Sequence, residues 1–212
     1  MKIVLIRHGQ TRWNKEEVFR GRADIPLDDT GITQAEATST ALAHVGLSAV
    51  YSSPLARASE TARMIARPHG LAVQLVDGLT DIDCGAWEGL PVHDAQARYP
   101  EMFAAWQTAP HTVTFSDGES LDMVASRAMA ALGNIVGAHA WDETVAVVSH
   151  RVVNKLVLLR ILGLDSSSFW KIRQDTCCLN MITYGPEGYV LHLLNDRCHL
   201  FAGRISEAPR DF

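Results

Sequence analysis

Ile3 to Ile6 is an unbroken run of four apolar residues between Lys2 and Arg7. A short continuous run of this kind marks a strand covered on both faces, as in a parallel sheet flanked by helices. Similar runs return at Ala49-Val50-Tyr51 and within Thr144 to Ser149, with Val-Ala-Val-Val at its centre, and Ala72 to Leu75 reads as a further strand. Between them the apolar spacing becomes helical. Gly31 to Val45 reads as one helix. Ser53-Pro54 opens a second that runs to about His69, with Ser53 as N-cap, Pro54 at the first helical position and Gly70 as the stop. Leu121, Val124, Ala125, Ala128, Met129, Leu132, Ile135 and Val136 follow i, i+3, i+4, i+7 spacing and form the clearest amphipathic helix in the chain. Val152 to Leu162 is a further helix closed by Gly163. Leu179 to Tyr184 and Tyr189 to Leu194 read as a strand pair joined by Gly185-Pro186-Glu187-Gly188. This alternation predicts an α/β fold with a mostly parallel central sheet.

The segment from about 87 to 118 breaks the rhythm. It holds Pro91, Pro100 and Pro110, short helical pieces and exposed-looking aromatics, and it reads as a cap-like helical insertion over one edge of the sheet. Trp87, Phe103 and Trp106 within it suit a lid over a ligand or the packing of the cap itself. The tail after His199, with Arg204, Pro209 and Arg210, reads as loose. At 212 residues the chain suits a single domain, 1–212, able to bury a full core.

Composition narrows the class. The chain is 47% apolar and 20% charged, which excludes a disordered protein. A net charge of −5 argues against a surface that coats nucleic acid. No apolar run approaches the roughly 20 residues of a membrane span, and Arg7 arrives too soon for a signal-peptide core. Cys84, Cys177, Cys178 and Cys198 lack C-x-x-C spacing and suit reduced residues of a cytoplasmic protein. Adjacent Cys177-Cys178 and Cys198-His199 fit no usual zinc pattern, so no metal is expected.

Ligands of open α/β sheets bind beyond the carboxyl ends of the strands. Arg7-His8-Gly9 follows the first strand, Ser52 to Arg57 the second, Leu79 to Asp83 the third and His150-Arg151 the fourth. Two histidines, several arginines and two carboxylates therefore converge on one edge. Six other histidines, His44, His69, His93, His111, His139 and His192, read as structural. Arg57, near a helix N-terminus, suits a phosphate.

These stretches carry a resemblance. Leu5-Ile6-Arg7-His8-Gly9-Gln10-Thr11 with Asn14, then Ser52-Ser53-Pro54-Leu55 through Arg57-Ala58 to Glu60-Thr61, resemble the first two motifs of the histidine phosphatase superfamily, the phosphoglycerate mutase-like proteins. Leu79 to Gly89, with Asp81, Asp83, Trp87 and Glu88, and Val148-Ser149-His150 resemble the third and fourth. The resemblance implies a three-layer α/β/α fold and a cofactor-independent phosphomonoesterase acting on a small phosphorylated metabolite. It gives His8 the role of nucleophile, with Arg7, Arg57 and a protonated His150 neutralising the phosphoryl oxygens. Asp81 is the expected proton donor and acceptor, with Asp83 and Glu88 as alternatives, because the family's usual glutamate is one methylene longer. Asn14, Arg20 and Gly21 are expected to bind substrate. Arg20 and Arg22 suit either recognition or solvated loop charge, and Arg151 replaces a frequent glycine.

A phosphoglycerate mutase and a non-catalytic phospholigand-binding domain are the alternative functions. The modest length weighs toward hydrolysis, because mutases usually carry longer lids. Ribazole-phosphate, phosphoserine and sugar-phosphate phosphatases are not separable by these motifs. Pairing of two copies through an edge strand is left open.

Overall fold

The computed structural model describes residues 1–201; the expectation of a loose tail concerns residues that lie mostly outside this range. Six strands form one sheet in the order β3-β2-β4-β1-β5-β6. They are β1 (Lys2–Arg7), β2 (Ala49–Ser52), β3 (Val73–Leu75), β4 (Thr144–Ser149), β5 (Leu179–Gly185) and β6 (Gly188–Asp196). The first four pair in parallel, and β5 and β6 extend the sheet antiparallel. The helices are α1 (Arg12–Lys15), α2 (Asp29–Leu42), α3 (Ala56–Ala66), α4 (Val92–Arg98), α5 (Pro100–Thr108), α6 (Leu121–Gly137) and α7 (Arg151–Ile161).

The continuous apolar runs are explained by two-sided burial. Val4 and Ile6 of β1, Val50 of β2 and Ala146 and Val148 of β4 pack with Leu42, Ala58, Ala62 and Ile65, from α2 and α3. Their neighbours Ile3, Leu5, Tyr51, Val145 and Val147 pack instead with α6 and α7, through Val124, Ala128, Leu132, Val153 and Leu156. Successive strand residues point to opposite faces, so each run feeds two cores at once. The result is the expected three-layer α/β/α arrangement. Among the described residues no helix is long and apolar enough to cross a membrane.

Two expectations are corrected. The helix expected from Ser53-Pro54 begins at Ala56, with Leu55 as its N-cap residue. Ser53 is drawn elsewhere, because its hydroxyl contacts His150. Most aromatics of the insertion are buried, Tyr99 being the exception. Trp87, Phe103 and Trp106 are all at least nine-tenths buried and belong to the same core cluster as β1 and β4. Phe115 sits edge-on to Trp87, with ring centroids 5.2 Å apart, and Trp106 lies 5.6 Å from Phe169. The insertion therefore shares the main core.

Candidate active site

The carboxyl ends of β1, β2 and β4 are neighbours in the sheet, and the pairing runs on past them. His8 N–H donates to Ser149 O and Ser53 N–H to Val148 O, both at 3.0 Å. The backbone beneath His8, Ser53 and His150 is thus held by the sheet itself. Gly9 and Gly31 bring the next turn against the start of α2. A Cβ on Gly31 would stand 2.0 Å from Gln10 O, and one on Gly9 2.5 Å from Gly31 O. Thr61, from the second motif, accepts from Gly9 N–H at 3.1 Å and ties α3 to the same turn.

Arg7, His8, Arg57 and His150 are at most 1% exposed. Burying such groups is costly unless each is hydrogen-bonded or paired. Arg7 Nη1 donates to Gln174 O at 2.7 Å. Arg57 donates to Ala23 O at 2.7 Å and Gly21 O at 2.9 Å, and its Nη2 lies 3.3 Å from Asp81 Oδ2. His8 Nδ1 is 2.6 Å from Gly9 O. A carbonyl only accepts, so the proton resides on Nδ1 and Nε2 keeps its lone pair. Burial, followed by the charges on Arg57, His150 and Arg7, holds His8 well below its ordinary value of 6.5. The product is a neutral imidazole with an available nitrogen, the form a nucleophile needs.

The His150 ring centroid lies 5.1 Å from that of His8. Its Nε2 is 2.8 Å from Ser53 Oγ, which also accepts from Leu55 N–H at 3.3 Å. With the Ser53 hydroxyl donating to Nε2, the imidazole proton sits on Nδ1, 3.6 Å from Asp81 Oδ2. That is too long for a hydrogen bond, and Nδ1 has no partner among the described residues. The protonated His150 expected from the sequence is not the resting form. Burial and the charges of Arg57, Arg20, Arg127 and Arg7 push its pKa well below 6.5.

One cavity adjoins this cluster, with Asn14, Arg20, Gly21, Asp81 and Arg151 in its wall. Asp81 is 6% exposed, and its Oδ1 accepts its neighbour Ile82 N–H at 3.0 Å. The alternatives Asp83 and Glu88 are absent from the cavity wall. Asp83 accepts from Gly85 N–H at 2.9 Å and faces Arg22 at 3.5 Å, while Glu88 accepts from Ala23 N–H. Arg22 also reaches Glu119 at 3.4 Å, so it belongs to the loop's ion pairing. Asn14 Oδ1 takes two hydrogen bonds from Thr11, both 2.9 Å, leaving its Nδ2 without a partner among the described residues. Gly21 has φ of +49°, and a Cβ there would meet Glu88 Oε1 at 2.8 Å. Phe103 and Trp106 combine the two roles considered for them, since each lines the cavity and is 5% exposed.

The family model for the histidine phosphatase superfamily (branch 1) matches residues 3–197. The chain belongs to the histidine phosphatase superfamily. It is 36% identical over 200 residues to phosphoserine phosphatase 1 of Hydrogenobacter thermophilus, covering 94% of each chain. It is 29% identical to the adenosylcobalamin/alpha-ribazole phosphatase of Escherichia coli, over 93% of this chain and 97% of that one. Among solved structures, Bacillus stearothermophilus YhfR superposes with a TM-score of 0.90 at 28% identity, over 94% of this chain and 98% of that one. A relative from Yersinia pestis described as a probable phosphoglycerate mutase is 26% identical over 99% of this chain and its whole length. A chain of this length thus also occurs under a mutase description, so length alone does not decide between the two readings.

Three residues around the site, Gln174, Arg127 and Glu119, and a fourth in the cavity wall, Glu17, were not picked out from the sequence. Gln174 braces Arg7 from the turn before β5. Arg127 and Glu119 surround the Asp81 loop from α6 and its approach. Glu17 lines the cavity with a left-handed φ of 54°, which is uncommon outside glycine. No spacing rule flags these residues. The nearest signal is an arginine at 127 on a helix otherwise patterned for burial.

Proposed function

We propose that this histidine phosphatase hydrolyses a small phosphomonoester through a phosphohistidine at His8, without a metal. The observation that carries the reading is the His8 imidazole, with its proton fixed on Nδ1 by Gly9 O and its Nε2 available among buried Arg7, Arg57 and His150. Nε2 attacks phosphorus, the N–P bond forms and the ester P–O bond breaks. The leaving oxygen takes the electron pair and a proton from the Asp81 carboxyl. Water then attacks phosphorus, gives a proton to the Asp81 carboxylate, and the N–P pair returns to Nε2. The arginines neutralise charge on the three non-bridging oxygens and His150 Nδ1–H donates a hydrogen bond to them, the chief demand of phosphoryl transfer.

The cavity wall points to the alcohol half of the substrate. Arg20 and Arg151 line it together with the Asn14 amide, among the apolar sides of Phe19, Ile82 and Val152. Two guanidinium groups favour an alcohol that carries its own carboxylate or phosphate. Phosphoserine and 3-phosphoglycerate have this character, and the first is the substrate named for the Hydrogenobacter relative. The cytoplasm is the setting this chemistry suits, and Cys84, Cys177 and Cys178 are buried free thiols.

The test is kcat/KM across phosphoserine, 3-phosphoglycerate, ribazole phosphate, sugar phosphates and p-nitrophenyl phosphate, with chelator present. Carboxylated esters should be preferred, with inorganic phosphate as product. Conversion of 3-phosphoglycerate to its 2-isomer would favour the mutase. Hydrolysis surviving in His8→Ala overturns the nucleophile, and no turnover of any ester leaves only a binding domain.

A further inference from the structure

Arg127 belongs to none of the four motifs, yet it holds more of the Asp81 loop than any motif residue does. Its Nη1 donates to Gly78 O at 3.0 Å and Thr80 O at 2.6 Å, and its Nη2 donates to Asp81 O at 2.9 Å. The carbonyl between these, Leu79 O, accepts from Ser149 Oγ at 2.6 Å. Four consecutive carbonyls are therefore engaged. The other side of the guanidinium grips Glu119 in a fork, Nε to Oε1 at 2.7 Å and Nη2 to Oε2 at 2.9 Å. Glu119 Oε2 in turn accepts from Asp83 N–H at 3.0 Å. Glu119 N–H donates back to Asp83 O, also at 3.0 Å.

The loop is pressed against α6 as well as tied to it. A Cβ on Gly78 would stand 2.8 Å from Ala131 Cβ and 3.1 Å from Arg127 O. Burial alone would raise the Glu119 carboxyl, but its hydrogen bonds from Arg127 and Asp83 N–H and the charges of Arg127 and Arg22 outweigh this and hold it below the usual range. The pair is thus an ionised fork under little solvent, 21% exposed on the arginine and 10% on the glutamate. Such a bidentate contact fixes direction as well as distance.

We propose that Arg127 and Glu119 are positioning residues for the proton donor: they lock the main chain at 78–83 so that a side chain as short as aspartate stays at the leaving oxygen. The inference rests on the assignment of Asp81 as the acid. A flexible loop bearing an aspartate would spend little time within reach, and misplacement of a catalytic group by about 1 Å can cost on the order of 100-fold. The guanidinium spends its hydrogen bonds on Glu119 and on the carbonyls of Gly78, Thr80 and Asp81, so its hold on the acid passes through the backbone.

The experiment compares an alkyl phosphomonoester with p-nitrophenyl phosphate, whose leaving group needs almost no proton. Asp81→Asn sets the reference, with a loss of about 100-fold or more on the alkyl ester and little on the nitrophenyl ester. Arg127→Met should show the same split, and the double variant should be little worse than Asp81→Asn alone. Arg127→Lys keeps the charge that bears on His150 but lacks the fork, and it should resemble Arg127→Met. Full activity in Arg127→Lys, or equal losses on both esters in Arg127→Met, overturns the positioning role. If Arg127→Met does not fold, Glu119→Gln, which nearly conserves volume, is read by the same ratio. An absent split in Asp81→Asn overturns the acid assignment instead, so the two failures are distinct.

Discussion

Two histidines that the fold keeps neutral govern how single residues respond to pH. His8 and His150 both lie well below 6.5, burial being the largest cause in each. In the unfolded chain each would take up a proton as pH falls through about 6.5, whereas in the native state each resists. The unfolded state then binds more protons, so stability should decline from about pH 6.5 downward until the native pKa values are reached. Melting temperature measured between pH 7.5 and 5 should fall, and the fall should shrink in His150→Asn. The same depression keeps Nε2 of His8 ready below pH 6.5, so the acidic limb of kcat/KM should have its midpoint below that value. A midpoint at or above 6.5 would show that the resting imidazole is not neutral. The meeting of His8 and His150 was readable because each leaves a strand end beside arginine or serine. The neutrality of His150 was not, because it depends first on complete burial and then on Arg57, Arg20 and Arg127, and neither the burial nor the reach of Arg127 shows in the sequence.

Element boundaries follow the same division. β1, β2 and β4 were readable because burial on both faces keeps their centres apolar. The start of α3 was misplaced because Ser53 resembles an N-cap, while the folded chain uses its hydroxyl on His150, 97 residues away in sequence. Gly31 shows the opposite case, a residue whose role was invisible in the helix pattern. Gly31→Ala puts a Cβ 2.0 Å from Gln10 O, which backbone cannot yield cheaply. We expect a loss of about 1–3 kcal/mol in urea denaturation, with a drop in kcat, because the same contact seats the turn after His8. Gly133→Ala, in α6 with nothing within 4 Å of its added Cβ, should instead be neutral or stabilising by up to about 1 kcal/mol.

On the scale of the whole molecule, the insertion and the sheet share one core. Trp106 is 5% exposed, meets Phe115, Phe169 and Trp170, and takes the Trp170 indole N–H on its carbonyl at 2.8 Å. Unfolding followed by tryptophan fluorescence and by far-ultraviolet circular dichroism should therefore give coincident transitions. Trp106→Ala should lower stability by about 3–5 kcal/mol and shift both signals together. An early fluorescence transition alone would mean that the insertion unfolds as a separate unit. The proline-rich composition of this segment hid its aromatic packing, since the partner Phe169 lies outside it.

Arg57 does two jobs with one side chain. It adjoins His8 and Asp81, and its Nη atoms hold the carbonyls of Gly21 and Ala23. Those carbonyls belong to the backbone, whatever side chains neighbouring positions carry. Substitution at 20, in the cavity wall, would therefore leave the grip of the guanidinium in place while it changes what the alcohol meets. A descendant lineage could exchange its substrate by point mutation in this loop and inherit the phosphate chemistry unchanged.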